Sequence, residues 1–213
     1  MQAADVLLYG TTHVPVGEDQ AQHLEFARDL AIGFNHTFAP EGTGPLLTPP
    51  ETILSPAKRV MSLIEPTKKM SKSDPDSRSR ILITDSKDEI RKKINGAKTD
   101  SLPGISYDRQ LRPGVSNLID ILCYMTNDPI ISPESIASEM ADANMSMKAL
   151  KEKVAHAVDQ GLRDVRDKYE DVMRMPINEL NDVSSLSVAE ASRTAEHTMS
   201  KIRETLGLQS GFR

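Results

Sequence analysis

Apolar residues recur at helical spacing along much of this 213-residue chain. From Glu18 to about Phe34, residues Ala21, Leu24, Ala27, Leu30, Ala31 and Phe34 share one side of a helix, so that face is expected to pack on a sheet. The stretch just before it, Val14-Pro15-Val16-Gly17, reads as a short strand ending in a glycine. Strand, glycine turn and helix together are the arrangement by which open α/β sheets bind nucleotides. After Ile81-Leu82-Ile83-Thr84 the pattern turns helical: the spacing predicts helices over Asp88 to Ala97, Gly114 to Met125, Pro133 to Ala141, Met147 to Met173 and Val188 to Leu206. The long helix from Met147 aligns Leu150, Val154, Ala157, Val158, Leu162, Val165 and Tyr169, the stripe of a bundle helix. Ser132 before Pro133-Glu134, and Ser187 two residues before Ala189-Glu190, read as helix starts. The fold class expected is α/β plus all-α, with the division near Thr84 to Lys87: an α/β part over 1–84 and a helical part over 85–213.

Composition adds limits. Hydrophobic residues make up 38% of the chain and there is no tryptophan, an ordinary balance for a charged, helix-rich globular protein. No run of eighteen apolar residues occurs, and Met1 to Val16 has neither signal nor transit character, so nothing argues for membrane insertion. Cys123 stands alone, which excludes an internal disulfide and argues against a cysteine-rich zinc site; no protein metal site is expected. The net charge of −5 hides an uneven distribution. Lys58 to Lys98 holds twelve Lys or Arg against six Asp or Glu, a balance of +6, while the rest holds fourteen against twenty-five, or −11. A basic stripe in an acidic chain can hold phosphates without general affinity for nucleic acid. For Arg91, Lys92 and Lys93 the expectation is simpler, a solvated helix face.

The densest chemistry lies in that stripe. Lys69-Met70-Ser71-Lys72-Ser73, bracketed by Pro66 and Pro75, places two ammonium groups three residues apart on a turn-like segment. Both can reach the β- and γ-phosphates of a nucleotide, where they would stabilise charge moving onto departing pyrophosphate. Ser71 and Ser73 add hydroxyls and keep the loop flexible. Upstream, Gly17 lets backbone approach a ribose, Asp19 can accept its hydroxyl protons and Gln20 can donate and accept. Glu18-Asp19-Gln20 also reads as an acidic helix start that favours the helix dipole.

The pentamer is similar to the phosphate-handling loop of class I aminoacyl-tRNA synthetases. More widely, the chain resembles the tryptophanyl-tRNA synthetases of bacterial and mitochondrial type, in that family's order, at Ala3 to Tyr9, His13 to Gln20, Lys68 to Pro75 and Pro113-Gly114-Val115-Ser116-Asn117-Leu118. The resemblance implies part of a Rossmann-like class I catalytic domain over 1–84, followed by a helical anticodon-binding bundle over 85–213. It implies ATP-dependent activation of tryptophan to tryptophanyl-adenylate, with Mg²⁺ accompanying ATP, and transfer to tRNA(Trp). The catalytic residues implied are Lys69 and Lys72. Those implied to bind ATP are Gly17, Glu18, Asp19, Gln20, Val60, Lys69, Met70, Ser71, Lys72 and Ser73.

For tryptophan the resemblance implies Asp5, Val14, Val16 and Gln20, with Asp5 accepting the indole N–H, the one hydrogen that indole can donate. Taken alone, Asp5 reads as an exposed helix residue, and Val14, Val16, Val60 and Met70 read equally well as packing. A homodimer in the mitochondrial matrix, or alternatively in a bacterial cytoplasm, is implied as well. Neither His-x-Gly-His nor Thr-x-Gly-Asn, the other class I signature, occurs among these residues. The chain is therefore expected to be the C-terminal portion of such a synthetase, and a non-catalytic tRNA-binding or regulatory fragment is the alternative reading.

Overall fold

A computed structural model of the chain describes residues 2–40, 42, 44–54, 59–126, 128 and 130–208; Met1, expected inside the helix that carries Asp5, lies outside them. The chain forms two compact units, one from Met1–Lys58 with Met175–Arg213 and one from Arg59–Arg174. The boundary expected at Thr84 falls inside the second unit.

The first unit begins with helix α1 (Gln2–Leu7), strand β1 (His13–Val16), a 3₁₀ turn at Glu18–Gln20 and helix α2 (Ala21–Phe38). Strand β2 (Glu51–Leu54) pairs with β1 in parallel, in the register His13 with Glu51 through Val16 with Leu54. The expected strand, turn and helix are thus present. A parallel pair needs a crossover, and α2 supplies it, burying Leu24, Ala27 and Ala31. That face is narrower than the spacing predicts: Leu30 is exposed, and Phe34 is half-buried with its ring 4.9 Å from that of Phe38. Asn35 fastens the connection, donating to the Leu47 carbonyl at 2.7 Å and accepting from its N–H at 2.9 Å.

Helix α7 (Ile177–Thr205) also belongs to this unit, and the Thr198 hydroxyl donates to the Leu8 carbonyl at 2.7 Å. The helix starts well before the expected Val188. Pro176, with φ −58°, sits at its N-terminus and favours the first turn. Ser187 is consequently interior to the helix, and its cap-like neighbours cap nothing.

The second unit holds α3 (Lys87–Asn95), α4 (Pro113–Thr126), α5 (Pro133–Asp142) and α6 (Met147–Arg174), close to the four spans expected. Their core includes Leu63, Ile90, Ile94, Leu118, Ile119 and Leu150. Every residue from Gly114 to Leu122 is buried, so α4 is the central helix. The apolar stripe of α6 is covered only as far as Leu162; Val165 and Tyr169, expected in the bundle face, are exposed.

Lys93 also departs from the solvated face expected for it. Its ammonium pairs with the buried Asp85 carboxylate, while Arg91 reaches Glu152 at 3.0 Å. Ser132 does start α5, through a capping box with Ser135.

A second box, Ser86 with Glu89, opens α3. Its bonds hold the Glu89 carboxyl below the usual carboxylate range. The folded-state value is depressed, so this stabilisation is present at neutral pH and fades as acid protonates the carboxyl. Ser86→Ala removes the acceptor for the Glu89 N–H and is expected to cost about 1 kcal/mol, read as a lower urea midpoint at unchanged slope.

Candidate functional site

The Lys69 to Ser73 loop hangs from an extended segment, Val60 to Leu63. Met61 forms an antiparallel bridge with Lys69. The Met70 N–H donates to the Val60 carbonyl at 2.9 Å, and the Ser62 N–H donates to the Lys68 carbonyl at 2.8 Å. Val60 and Met70 therefore meet through their backbones, and both side chains pack partly on the core. Beyond the loop the chain is anchored again: the Leu63 N–H donates to the Ser79 carbonyl at 2.9 Å, and Arg80 donates to the Asp74 carbonyl at 2.7 Å. Between these anchors Ser71 and Ser73 share a hydroxyl contact of 3.0 Å.

Cations around the loop divide into spent and available ones. Lys68 is paired with Glu65 at 2.9 Å, and that carboxylate raises its pKa. Arg78 holds Asp76 at 2.7 Å, with hydrogen bonds that lower the Asp76 carboxyl to about 2. Lys69 and Lys72 are exposed, and among the described residues neither ammonium has an ion-pair partner. Two uncommitted positive charges on a doubly anchored loop suit a polyanion better than a single carboxylate.

The other expected site residues lie on the first unit. Asp5 is exposed on α1, and among the described residues its carboxylate has no hydrogen bond or ion pair. Val14 and Val16 are half-buried and alternate with exposed His13 and Pro15. Gly17 is extended, with φ −73° and ψ 159°, so no left-handed turn demands glycine here. Its lack of a side chain still counts: a Cβ would lie 2.8 Å from Oδ1 of Asp19.

Asp19 and Gln20 are joined by a 3.1 Å hydrogen bond from the amide. The side-chain Oε1 of Gln20 is 3.2 Å from Nδ1 of His23, which also meets Oε1 of Gln2 at 3.1 Å. The 3₁₀ turn is thereby tied to α1, the helix of Asp5. His23 and Gln2 escaped the sequence reading. His23 stands three residues after Gln20, one helical turn on, and that spacing was the available signal; Gln2 carried none. Among the described residues, no group of three or more His, Cys, Asp or Glu side chains is arranged to hold a metal ion.

The string Pro113 to Leu118, which carries no reactive group of its own, is the part whose structural work the sequence did not reveal. Asn117 accepts from the Met61 N–H and donates to the Met61 carbonyl, both at 2.9 Å. The Ser116 hydroxyl accepts from the Asp108 N–H at 2.9 Å. Just before the string, the buried Arg112 side chain pairs with Asp100 at 2.8 Å and donates to the Gly104 and Leu102 carbonyls at 3.1 Å each.

Comparison with known proteins gives concordant results. The family of tRNA synthetases class I (W and Y) matches residues 1–163. A mitochondrial tryptophan–tRNA ligase of Schizosaccharomyces pombe is 40% identical over 208 residues, covering 98% of this chain and 55% of that protein. Among solved structures, tryptophanyl-tRNA synthetase from Mycoplasma pneumoniae superposes with a TM-score of 0.73 at 30% identity, over 98% of this chain and 62% of the other. The Campylobacter jejuni tryptophanyl-tRNA synthetase, solved with ADP and tryptophan, gives 0.61 at 27% identity, over 97% and 60%. The chain thus spans between 55% and 62% of the length of these relatives.

Proposed function

We propose that this chain, which belongs to the class I tRNA synthetases of tryptophan and tyrosine, supplies adenylation and tRNA-binding parts of a tryptophan–tRNA ligase. The observation that carries the reading is the pair of exposed, uncommitted ammonium groups, Lys69 and Lys72, on a loop anchored at both ends.

In the proposed reaction the tryptophan carboxylate attacks the α-phosphorus of ATP, the bond to the β-phosphate oxygen breaks, and pyrophosphate leaves. Negative charge grows on the departing group, so cations aimed there stabilise the transition state more than the ground state. Lys69 and Lys72 take that role, assisted by the Ser71 and Ser73 hydroxyls. Val60 and Met70 serve the adenine through backbone and packing. Gly17, Glu18, Asp19 and Gln20 hold the ribose and reacting groups. Asp5 accepts the indole N–H, while Val14 and Val16 wall the ring.

Transfer follows when a tRNA(Trp) terminal hydroxyl attacks the adenylate carbonyl and AMP leaves. We assign 1–84 to the Rossmann-like catalytic part and 85–213 to a helical anticodon-binding part. Both strands lie before Thr84 and the elements from α3 onward are helices, which supports that assignment, whereas the compact units divide the chain at Lys58 and Arg174. Mg²⁺ is proposed to enter with ATP, as part of the substrate. A homodimer is proposed as the assembly. For location the mitochondrial matrix is proposed, supported by the mitochondrial relative in Schizosaccharomyces pombe; the bacterial cytoplasm is the alternative.

Tryptophan-dependent exchange of labelled pyrophosphate into ATP tests the reading. Exchange that requires tryptophan and fails with tyrosine is expected; its absence from folded protein would remove adenylation from this chain. Gly17→Ala forces the Asp19 carboxylate aside. It is expected to raise the ATP requirement about tenfold, the worth of roughly one hydrogen bond to a charged group, with a smaller effect on tryptophan through the Gln20 amide bonded to Asp19.

A further inference from the structure

We infer that Asn117 is the positioning residue of the Lys69 to Ser73 loop: its side-chain amide replaces a neighbouring strand along Met61 and fixes the segment from which the loop hangs. This rests on the reading of that loop as the group that handles phosphate.

The segment Val60 to Leu63 uses its two edges for different partners. In an extended segment, successive residues direct their N–H and C=O groups to opposite edges. Val60 and Ser62 use one edge, pairing with Met70 and Lys68. Met61 and Leu63 use the other. There Leu63 has backbone partners on both groups: its N–H donates to the Ser79 carbonyl, and its carbonyl accepts from the Lys98 N–H at 2.7 Å. At Met61 no such neighbour is found among the described residues, and the planar amide of Asn117 takes its place with a donor and an acceptor each at 2.9 Å. An amide side chain has the same two functions as a peptide group.

Position and burial give this contact leverage. Asn117 is 3% exposed and Met61 half-buried, so water has little access from the Asn117 side, and both Met61 groups would lose their protein partners. Met61 is itself the residue bridged to Lys69. Any slack at Met61 passes to the stem of the first catalytic lysine through one pair of residues. The support is stiff: α4 is buried from Gly114 to Leu122, and a side chain locked on a packed helix holds geometry better than one on a loop.

The test compares Asn117→Ala and Asn117→Asp with the unaltered chain, using hydrogen exchange and calorimetric titration with inorganic pyrophosphate. In Asn117→Ala, the Ser62 and Met70 amides are expected to exchange about tenfold faster or more, while the Val154 and Val158 amides in α6 keep their protection. Pyrophosphate affinity is expected to fall by about tenfold in the same variant. Asn117→Asp preserves shape and supplies a chemical rescue. Its protonated carboxyl supplies one donor and one acceptor, the two functions the amide uses at Met61, and its ionised form only acceptors. Protection at Ser62 and Met70, normalised for intrinsic exchange, should therefore return in Asn117→Asp on acidification and stay low in Asn117→Ala.

Unchanged exchange at Ser62 and Met70, or a loss shared equally with α6, overturns the assignment, because a purely structural asparagine would loosen the whole core. Should Asn117→Ala fail to fold, the acid recovery of Asn117→Asp decides the matter alone. An unaltered chain that does not bind pyrophosphate overturns the phosphate reading of the loop, while the exchange data still decide whether Asn117 holds it.

Discussion

Replacing Lys69 and Lys72 together by alanine is expected to lower tryptophan-dependent ATP–pyrophosphate exchange by about a thousandfold or more, while leaving tryptophan affinity within about twofold. Each ammonium is aimed at charge that grows only as pyrophosphate departs, and removing one such group typically costs about a hundredfold to a thousandfold. The two act on one leaving group, so their losses should not simply multiply. Stability should hardly change. Both side chains are exposed, and the bonds that shape the loop at Val60, Ser62, Leu63 and Ser79 are backbone to backbone. Surface substitutions of this kind usually stay within about 0.5 kcal/mol. A double variant that keeps a tenth of the exchange rate, or loses tryptophan binding in parallel, would refute the assigned role.

Gly114→Ala should be the most damaging single substitution for the fold. A Cβ at this position would lie 2.1 Å from the Lys98 carbonyl oxygen, 3.1 Å from its carbon and 3.3 Å from Cα of Thr99. All three are backbone atoms, so no rotamer change relieves the clash. Nor can Lys98 retreat freely, because its N–H donates to Leu63, the neighbour of the Met61 segment. Either α4 or the 98–99 backbone must shift, at an expected cost of about 3 kcal/mol or more. For a chain of this size that corresponds to a melting temperature lower by about 6 to 12 °C. Differential scanning calorimetry gives the answer directly, and a fall of less than about 2 °C would show that the helix has room to move.

Local pattern made the helical spans legible. Apolar spacing located α3 through α6, and Ser132 with its Pro133 marked the start of α5 as read. Where two local signals competed the reading failed: Ser187 with Ala189-Glu190 looked like a start, yet nothing between Ile177 and Ser187 breaks a helix, and Pro176 begins α7. The loop itself was legible because five adjacent residues carry it, and the structure shows Lys69 and Lys72 exposed on it. Asn117 and Gly114 were not, since their partners, Met61 and Lys98, are distant in sequence and neither residue type advertises such work. Lys93 misled for the same reason. An ion pair eight residues back, across the turn into α3, cannot be told from a solvated lysine by charge alone.

The order of the chain through the two units has a kinetic consequence. The second unit is one continuous segment, Arg59–Arg174, whereas the first closes only when Met175–Arg213 joins Met1–Lys58. The inserted segment can collapse without either flank, while the bond that ties α7 to the end of α1 must wait for both. The hydrogen bond from Thr198 to Leu8 spans 190 positions, and closing so long a loop carries an entropic cost that shorter contacts do not. Refolding should therefore run in two phases, with α7 docking in the slower one.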